Sequence, residues 1–461
     1  MMSPSSSAPA EAGNFDAVVG WKSFFPPARW VPTYRARWLQ ADLVSGITLA
    51  AYAIPVSLAY AGLAGLPPQV GIYGYLLGGI GYALFGSSRH LAVGPTSAIS
   101  LMVGGAIGQM AGNNAVLYGH IATVAGFVLA LMCLLAWVLR LSTLTSFISE
   151  TILLGFKAGA GLTIASTQLP ALFGVPGGGD DFFARVLTVG RQLTALDPVT
   201  TAVGFGAIAL LLIGERRLPG RPVALMVVVL SILTVALTPL GRAGLSVVGS
   251  VPSGLPSLGL PPLRVRDVNG LIPLAFGCLL LAYIEGVSAA RTFAAEHGYQ
   301  IDVRQELLGL GMANLLVAFG GGYPVAGGLS QSAVNEKAGA RTPLALVFAS
   351  VTLGLCLVFL TRLVENLPKA VLAAVVLVAV KGLINFREIA RLRHVSRLEF
   401  RVAMVAFVAV LLEGVLPGVI FAALVSILML LRRAANPHVA FLGRDGCTVL
   451  LFGVDYHFGC F

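Results

Sequence analysis

The stretch Gly86 to Leu101, GSSRHLAVGPTSAISL, sets a Gly-Pro pair in an apolar run, with Thr96, Ser97 and Ser100 directly behind it. Pro95 has no N–H, and its φ is already that of a first helical turn, so LAVGP reads as extended chain leading into a helix start. A helix that begins there exposes the unpaired N–H groups and the positive dipole end of its first turn. If the run lies at membrane depth, such irregular backbone is tolerated only when buried in protein or lining a cavity.

Composition puts it at membrane depth. Of 461 residues, 57% are apolar and 11% charged, whereas soluble domains carry about 25% charged residues. The chain therefore reads as an all-α polytopic membrane protein. About fourteen candidate spans start near Asp42, Val70, Pro95, Val116, Thr143, Val199, Val223, Leu271, Glu306, Leu329, Pro343, Pro368, Leu398 and Gly414. The third and tenth are too short to cross alone. With a cytosolic N-terminus and fourteen crossings, roughly 21 of the 30 basic residues fall on the cytosolic side and about 7 outside, the bias of the positive-inside rule. That bias accounts for the net charge of +10 without nucleic acid. The first residues lack a charged n-region and apolar core, so they read as a cytosolic tail rather than a signal peptide.

Two Gly, Pro and Ser rich interruptions, 174–186 and 241–267, read as loops. The second divides the chain into halves of seven spans each. IPVSLA (Ile54 to Ala59) resembles EGVSAA (Glu285 to Ala290), and the break at Gly94 and Pro95 is answered by YPVAGGLSQSAVN, which opens the tenth span. An odd number of spans per half makes the repeats inverted, and paired Gly/Pro-interrupted segments at matching positions point to a transporter binding site. Two half-helices aiming their N-termini at one point hold an anion without a fixed cation. The competing reading is a pair of kinks whose Ser hydroxyls bond back to the helix.

Glu285 lies well inside the eighth span, where a carboxylate reads by default as a proton or ion relay; the alternative is a structural pair with Arg291. Lys157 snorkels or faces a cavity and receives no role. Glu413 reads as interfacial, and His90 and His394, each near an Arg, read as solvated cytosolic residues. REIARLRHVSRLEFR (Arg387 to Arg401) reads as one short cytosolic helix on anionic headgroups. The five cysteines show no metal-ligand or redox spacing and read as packing residues. No nucleophile with a base, metal set or nucleotide loop is present, so the chain does not read as an enzyme, and no cofactor is expected.

DLVSGITLAAYAIPVSLAYAGLAGLPPQVGIYG (Asp42 to Gly74), with ALFGSSRHLAVGPTSAISLM, resembles the signature of the sulfate permease (SulP) family of anion transporters. AYIEGVSAARTFAAEHGYQIDVRQELLGLGMANLLVAFGGGYPVAGGLSQSAVNEKAGARTPLA resembles that of its second half. The resemblance, from about Asp42 to Arg433, implies two inverted seven-span repeats with half-helices three and ten. Core (spans one to four and eight to eleven) and gate (five to seven and twelve to fourteen) domains follow from it. It also implies a substrate anion among Val56, Tyr60, Thr96, Leu329, Ser330 and Gln331, with Glu285 where proton-coupled members carry their carboxylate. Ser97 and Ser332, in the same first turns, join the substrate-binding set, and no metal site is expected. Three departures stand out. Val56 follows Pro55 where the family usually has Gln, Gln331 stands where many members have Arg, and the cytosolic STAS domain that usually follows is absent or cut to its first strand, TVLLF.

The sequence thus predicts a cytosolic tail over 1–38, repeats over 39–245 and 246–435, and a short cytosolic tail over 436–461. It predicts a secondary active transporter of a small anion (sulfate, bicarbonate, dicarboxylate or chloride), working by alternating access in a bacterial-type inner membrane with both termini cytosolic. Coupling to H+, with Na+ or exchange as the other modes, membrane lipids and a homodimer complete the expected partners. The alternatives are a nucleobase-type neutral carrier on the same architecture, and a non-transporting scaffold or motor.

Overall fold

The structure is a computed structural model. It describes residues 24–456 except 112–113, 142–149, 180, 219–221, 239–244, 250–253, 262–264, 360, 362–364, 382–383, 419, 422–423, 426–427, 429–443, 446–447 and 452–453. Cys447, Cys460 and most of the N-terminal tail lie outside these residues. Cys133, Cys278 and Cys356 are free thiols buried in the apolar interior.

The first half contains α1 (Leu39–Leu63), α2 (Pro68–Phe85), β1 (Val93–Gly94), α3 (Ser97–Ala111), α4 (Ala115–Val138), α5 (Glu150–Phe173), α6 (Phe182–Gln192), α7 (Pro198–Arg217) and α8 (Val223–Leu237). The second contains α9 (Val265–Glu296), α10 (Val303–Phe319), β2 (Ala326–Gly327), α11 (Leu329–Lys337), α12 (Leu344–Phe359), α13 (Lys369–Val380), α14 (Phe386–Val395) and α15 (Arg397–Glu413). Helix starts follow local chemistry. Asn114 caps α4, and Asp197 and Asp302 cap α7 and α10, each accepting from N–H groups of the first turn. Pro68 and Pro198 occupy first-turn positions where no N–H is needed.

The helices pack as two groups, and each group maps onto itself when the halves are exchanged. In the first, α1 against α12 is answered by α9 against α4, α2 against α12 by α10 against α4, and α2 meets its equivalent α10. In the second, α5 against α15 is answered by α13 against α7, and α5 meets α13. These are the core and gate groups of an inverted repeat. Backbones come very close where glycine allows it: a Cβ on Gly155 of α5 would sit 2.0 Å from the Ala403 carbonyl oxygen of α15.

Three elements differ from the sequence reading. Residues 182–186, read as loop, belong to α6, whose start Asp181 caps by accepting from Ala184 N–H at 2.8 Å. With Phe183, Val186 and Leu187 exposed, α6 is an amphipathic helix between spans five and six. It is the repeat counterpart of α14 between spans twelve and thirteen. The basic run divides at Ser396, which ends α14 and caps α15 by accepting from Glu399 N–H. The eighth span starts at Val265 rather than Leu271. Beyond α15, three short antiparallel strands, Arg444–Asp445, Thr448–Leu451 and Val454–Tyr456, include most of TVLLF.

Candidate anion site at the paired half-helices

Both breaks in the sequence are breaks in the structure, and they meet. β1 and β2 pair antiparallel, Val93 opposite Gly327 and Gly94 opposite Ala326. Two or three residues later each strand turns into a short helix: α3, 15 residues, and α11, 9 residues. Extended backbone at this depth needs a partner for every polar group, and side chains supply what two-residue strands cannot. Asn314 on α10 accepts from Val325 N–H at 2.8 Å and donates to the Val325 carbonyl at 3.0 Å. Gln331 donates to the carbonyls of Ala92 (2.9 Å) and Ala326 (3.2 Å), and its Oε1 accepts a short hydrogen bond from the Tyr75 hydroxyl. The Ser332 hydroxyl accepts from Ala92 N–H at 2.9 Å and donates to the Gly328 carbonyl at 2.7 Å. Asn335 donates to the His90 carbonyl at 3.1 Å and its Oδ1 accepts from the Ser45 hydroxyl.

The first-turn N–H groups are treated differently. Gly328 precedes α11 with no side-chain cap, and Leu329 and Ser330 at its tip are exposed, Leu329 by 53%. Just before α3 the Thr96 Oγ1 is buried without a hydrogen-bond partner among the described residues. Tyr60 on α1 is buried with its hydroxyl in hydrogen-bonding reach of Ser97, and Val56, one turn before it, is buried alongside. Helix tips without side-chain caps, ahead of strands that are braced, leave first-turn N–H groups and the positive dipole ends available to an anion.

The residues expected at the anion thus fall into two sets. Thr96, Leu329 and Ser330 stand at the uncapped tips, Ser97 lies in the first turn of α3 within reach of Tyr60, and Val56 is one turn from Tyr60 on α1. Gln331 and Ser332 sit in the same turn of α11 but spend their polar atoms on the backbone of the crossing. Glu285 on α9 is partly exposed and makes no hydrogen bond or ion pair among the described residues. Its expected alternative partner Arg291 is exposed and not ion-paired with it. Among the described residues, Lys157 and Tyr60 are ionisable side chains near enough to interact with it electrostatically.

A profile of the sulfate permease family matches residues 39–406, most of the helical part of the chain. The chain belongs to the sulfate permease family. Among its relatives in that family is a probable sulfate transporter of Mycobacterium tuberculosis, 36% identical over 422 residues, which cover 90% of this chain and 75% of the relative. The chloroplastic sulfate transporter 4.1 of Arabidopsis thaliana is 32% identical over 451 residues, 94% of this chain and 64% of that one. Among solved structures, the murine Solute Carrier 26 family member A9 anion transporter in the inward-facing state superposes with a TM-score of 0.83. The identity is 21%, over 94% of this chain and 77% of that one. The transmembrane domain of a cyanobacterial bicarbonate transporter, BicA, gives 0.72 at 21% identity, over 86% of this chain and 98% of that one. The sulfate permease fold, an integral membrane anion-transporter architecture rather than an enzyme, is therefore shared along nearly the whole helical part.

Of the bracing residues of this sulfate permease, sequence reasoning did not single out Asn314 and Asn335. Asn314 is a lone amide in the apolar run GMANLLVAF, and its partner lies 11 residues on, across the break. A buried amide followed by a Gly/Pro-rich interruption was the available signal. His90, read as solvated, is 5% exposed. Its Nε2 donates to the Ala340 carbonyl and its Nδ1 accepts from the Tyr299 hydroxyl, both at 3.1 Å, while His297 stacks on it at 4.4 Å. Burial first, then the neighbouring His297, pushes its pKa down to about 4. Asp42 is also fully buried, accepting from the N–H groups of Arg341 and Thr342 and the Thr342 hydroxyl at the entry to α12.

Proposed function

We propose that the chain is a secondary active transporter that binds a small anion between the N-terminal tips of α3 and α11 and carries it past the gate group by alternating access. The observation that carries the reading is the contrast at the crossing: strand backbones braced by Asn314, Gln331, Ser332 and Asn335, helix tips left uncapped beside the unpartnered Thr96 hydroxyl. Thr96 and Ser330 donate hydroxyls, Tyr60, Ser97, Val56 and Leu329 shape the recess, and Gln331 and Ser332 hold its frame. Glu285 is the coupling group, taking a proton with the anion.

The names of the relatives put sulfate first among substrates to test and bicarbonate second. A neutral-substrate carrier would draw on a second acid at the tip of α11. The acid of that helix, Glu336, lies at its other end and pairs with His297 at 3.0 Å, which supports the anion reading. The basic-residue bias supports cytosolic termini, with 39–245 and 246–435 as the repeats. Dimer formation and a bacterial inner membrane belong to the same proposal.

The test is uptake of labelled sulfate, bicarbonate, succinate and chloride into proteoliposomes, with and without an inward proton gradient. Gradient-stimulated uptake of at least one supports the reading. Folded protein that transports none of them overturns it.

A further inference from the structure

An anion in a low-dielectric recess needs more compensation than the partial charge of helix tips, which is roughly half a unit each. Gln331 brings no charge to this site, and its amide is committed to backbone carbonyls. The gate group offers a cation from the other side. Lys157 sits on α5, and its near neighbours divide into two faces. Phe156 and Ala160, 2% and 1% exposed, pack into the apolar cluster that contains Ile99, Met102 and Val103 of α3 and Ile284 and Val287 of α9. Gly161 faces Val380 at the end of α13 and Ile384 just beyond it. At about 100° per residue, Lys157 falls between these faces and points into the seam between core and gate, where it is partly exposed. Ile284 and Val287, neighbours of Glu285 on α9, belong to the same apolar cluster that Phe156 and Ala160, neighbours of Lys157 on α5, enter, so the lysine and the carboxylate border one cluster. Neither has a hydrogen bond or ion pair among the described residues. A lysine at this depth is costly unless it faces a polar cavity or a partner, and protein packed on both flanks leaves no lipid face along which to snorkel.

We propose that Lys157 is the cationic element of the anion site, presented by the gate group opposite the tips of α3 and α11 and shared between Glu285 and the anion. This rests on the transport reading above and adds the residue that sets affinity for anion charge. With the site empty, Lys157 balances the Glu285 carboxylate. When an anion draws the ammonium to itself, the carboxylate loses its counter-charge and takes a proton from solvent, so one anion and one proton enter together. Among the described residues, Lys157 on α5 and Tyr60 on α1 are ionisable side chains near enough to Glu285 to interact with it electrostatically.

The test compares wild type, Lys157→Met, Lys157→Arg and Thr96→Val in proteoliposomes, reading KM and maximal rate for labelled sulfate and, in parallel, bicarbonate. Removing one charge-assisted contact should raise the sulfate KM about tenfold or more. The rise should be smaller for monovalent bicarbonate, and Lys157→Arg should stay near wild type. Monodisperse elution of Lys157→Met, with recovery in Lys157→Arg, separates this from misfolding. A Lys157→Met KM equal to wild type overturns the role of Lys157 while leaving the transport reading intact. Loss of maximal rate alone, without a charge-dependent KM, also overturns it. Folded wild type that takes up none of sulfate, bicarbonate, succinate and chloride overturns the transport reading and this proposal with it, and a KM unmoved in Thr96→Val displaces the anion from the α3 tip.

Discussion

Glu285 and Gln331 are polar residues at membrane depth, and the structure gives them opposite circumstances. Glu285 is unpartnered among the described residues and partly exposed, while every side-chain polar atom of Gln331 faces a bonding partner. Glu285→Gln should therefore leave the fold intact and remove the stimulation of anion uptake by an inward proton gradient, read as the ratio of uptake with and without it. Gln331→Ala should instead destabilise, since the carbonyls of Ala92 and Ala326 lose a donor in a place without water, a cost of about 1–3 kcal/mol visible as a lower Tm in detergent. His90 gives a pH signature. Its folded pKa near 4 lies below the ordinary value of 6.5, so the unfolded chain binds the extra proton first. The stabilisation is complete above pH 6.5 and is lost as pH falls toward 4, by no more than about 1.4 kcal/mol per pH unit. A Tm series from pH 7 to 4 should show wild type losing ground relative to His90→Gln, and parallel curves would exclude His90 as the source. The sequence carried the types of these residues but not their partners. A Gln three positions past a Gly pair reads equally as ligand or brace, and only the position of Ala92, 239 residues away, decides.

At the scale of elements, the two half-helices were legible because proline and glycine chemistry is local: Pro95 fixes a helix start whatever surrounds it. The crossing of β1 and β2 was not legible, because antiparallel pairing between residues more than two hundred positions apart leaves no periodicity to read. Gly94 belongs to that crossing. A Cβ there would lie 2.3 Å from the Tyr75 ring, which cannot swing away while its hydroxyl is bonded to Gln331. Gly94→Ala should displace the tip of α3 and abolish transport, with a reduced Tm. α6 escaped the sequence reading for another reason: Gly, Pro and Asp mark a loop up to Asp181, and that same Asp is the cap of the next helix. α14 was legible because its arginines recur at near-helical spacing, but its end at Ser396 was not, since Ser396 both stops one helix and starts another.

For the whole molecule, alternating access asks that two groups of helices move as nearly rigid bodies across one seam. The packing has the required division, with extensive contacts inside each group and the α1 contacts to α13 and α8 among those that join them. A cysteine pair linking α1 to α13 should arrest uptake and recover it on reduction, whereas a pair linking α2 to α10, both inside the core group, should spare it. The native thiols at Cys133, Cys278 and Cys356 are buried and should not interfere. Inverted repeats were legible as an odd number of spans per half with matching breaks; the division into two groups came from resemblance, since it depends on which apolar faces meet. Every part of this account places the anion where the tips of α3 and α11 converge. The most direct test is an experimental structure of the protein with selenate, located by its anomalous signal in transport-competent protein. The account predicts a peak between Thr96 and Ser330, facing Lys157; a peak elsewhere, with these two residues dispensable for uptake, would contradict it.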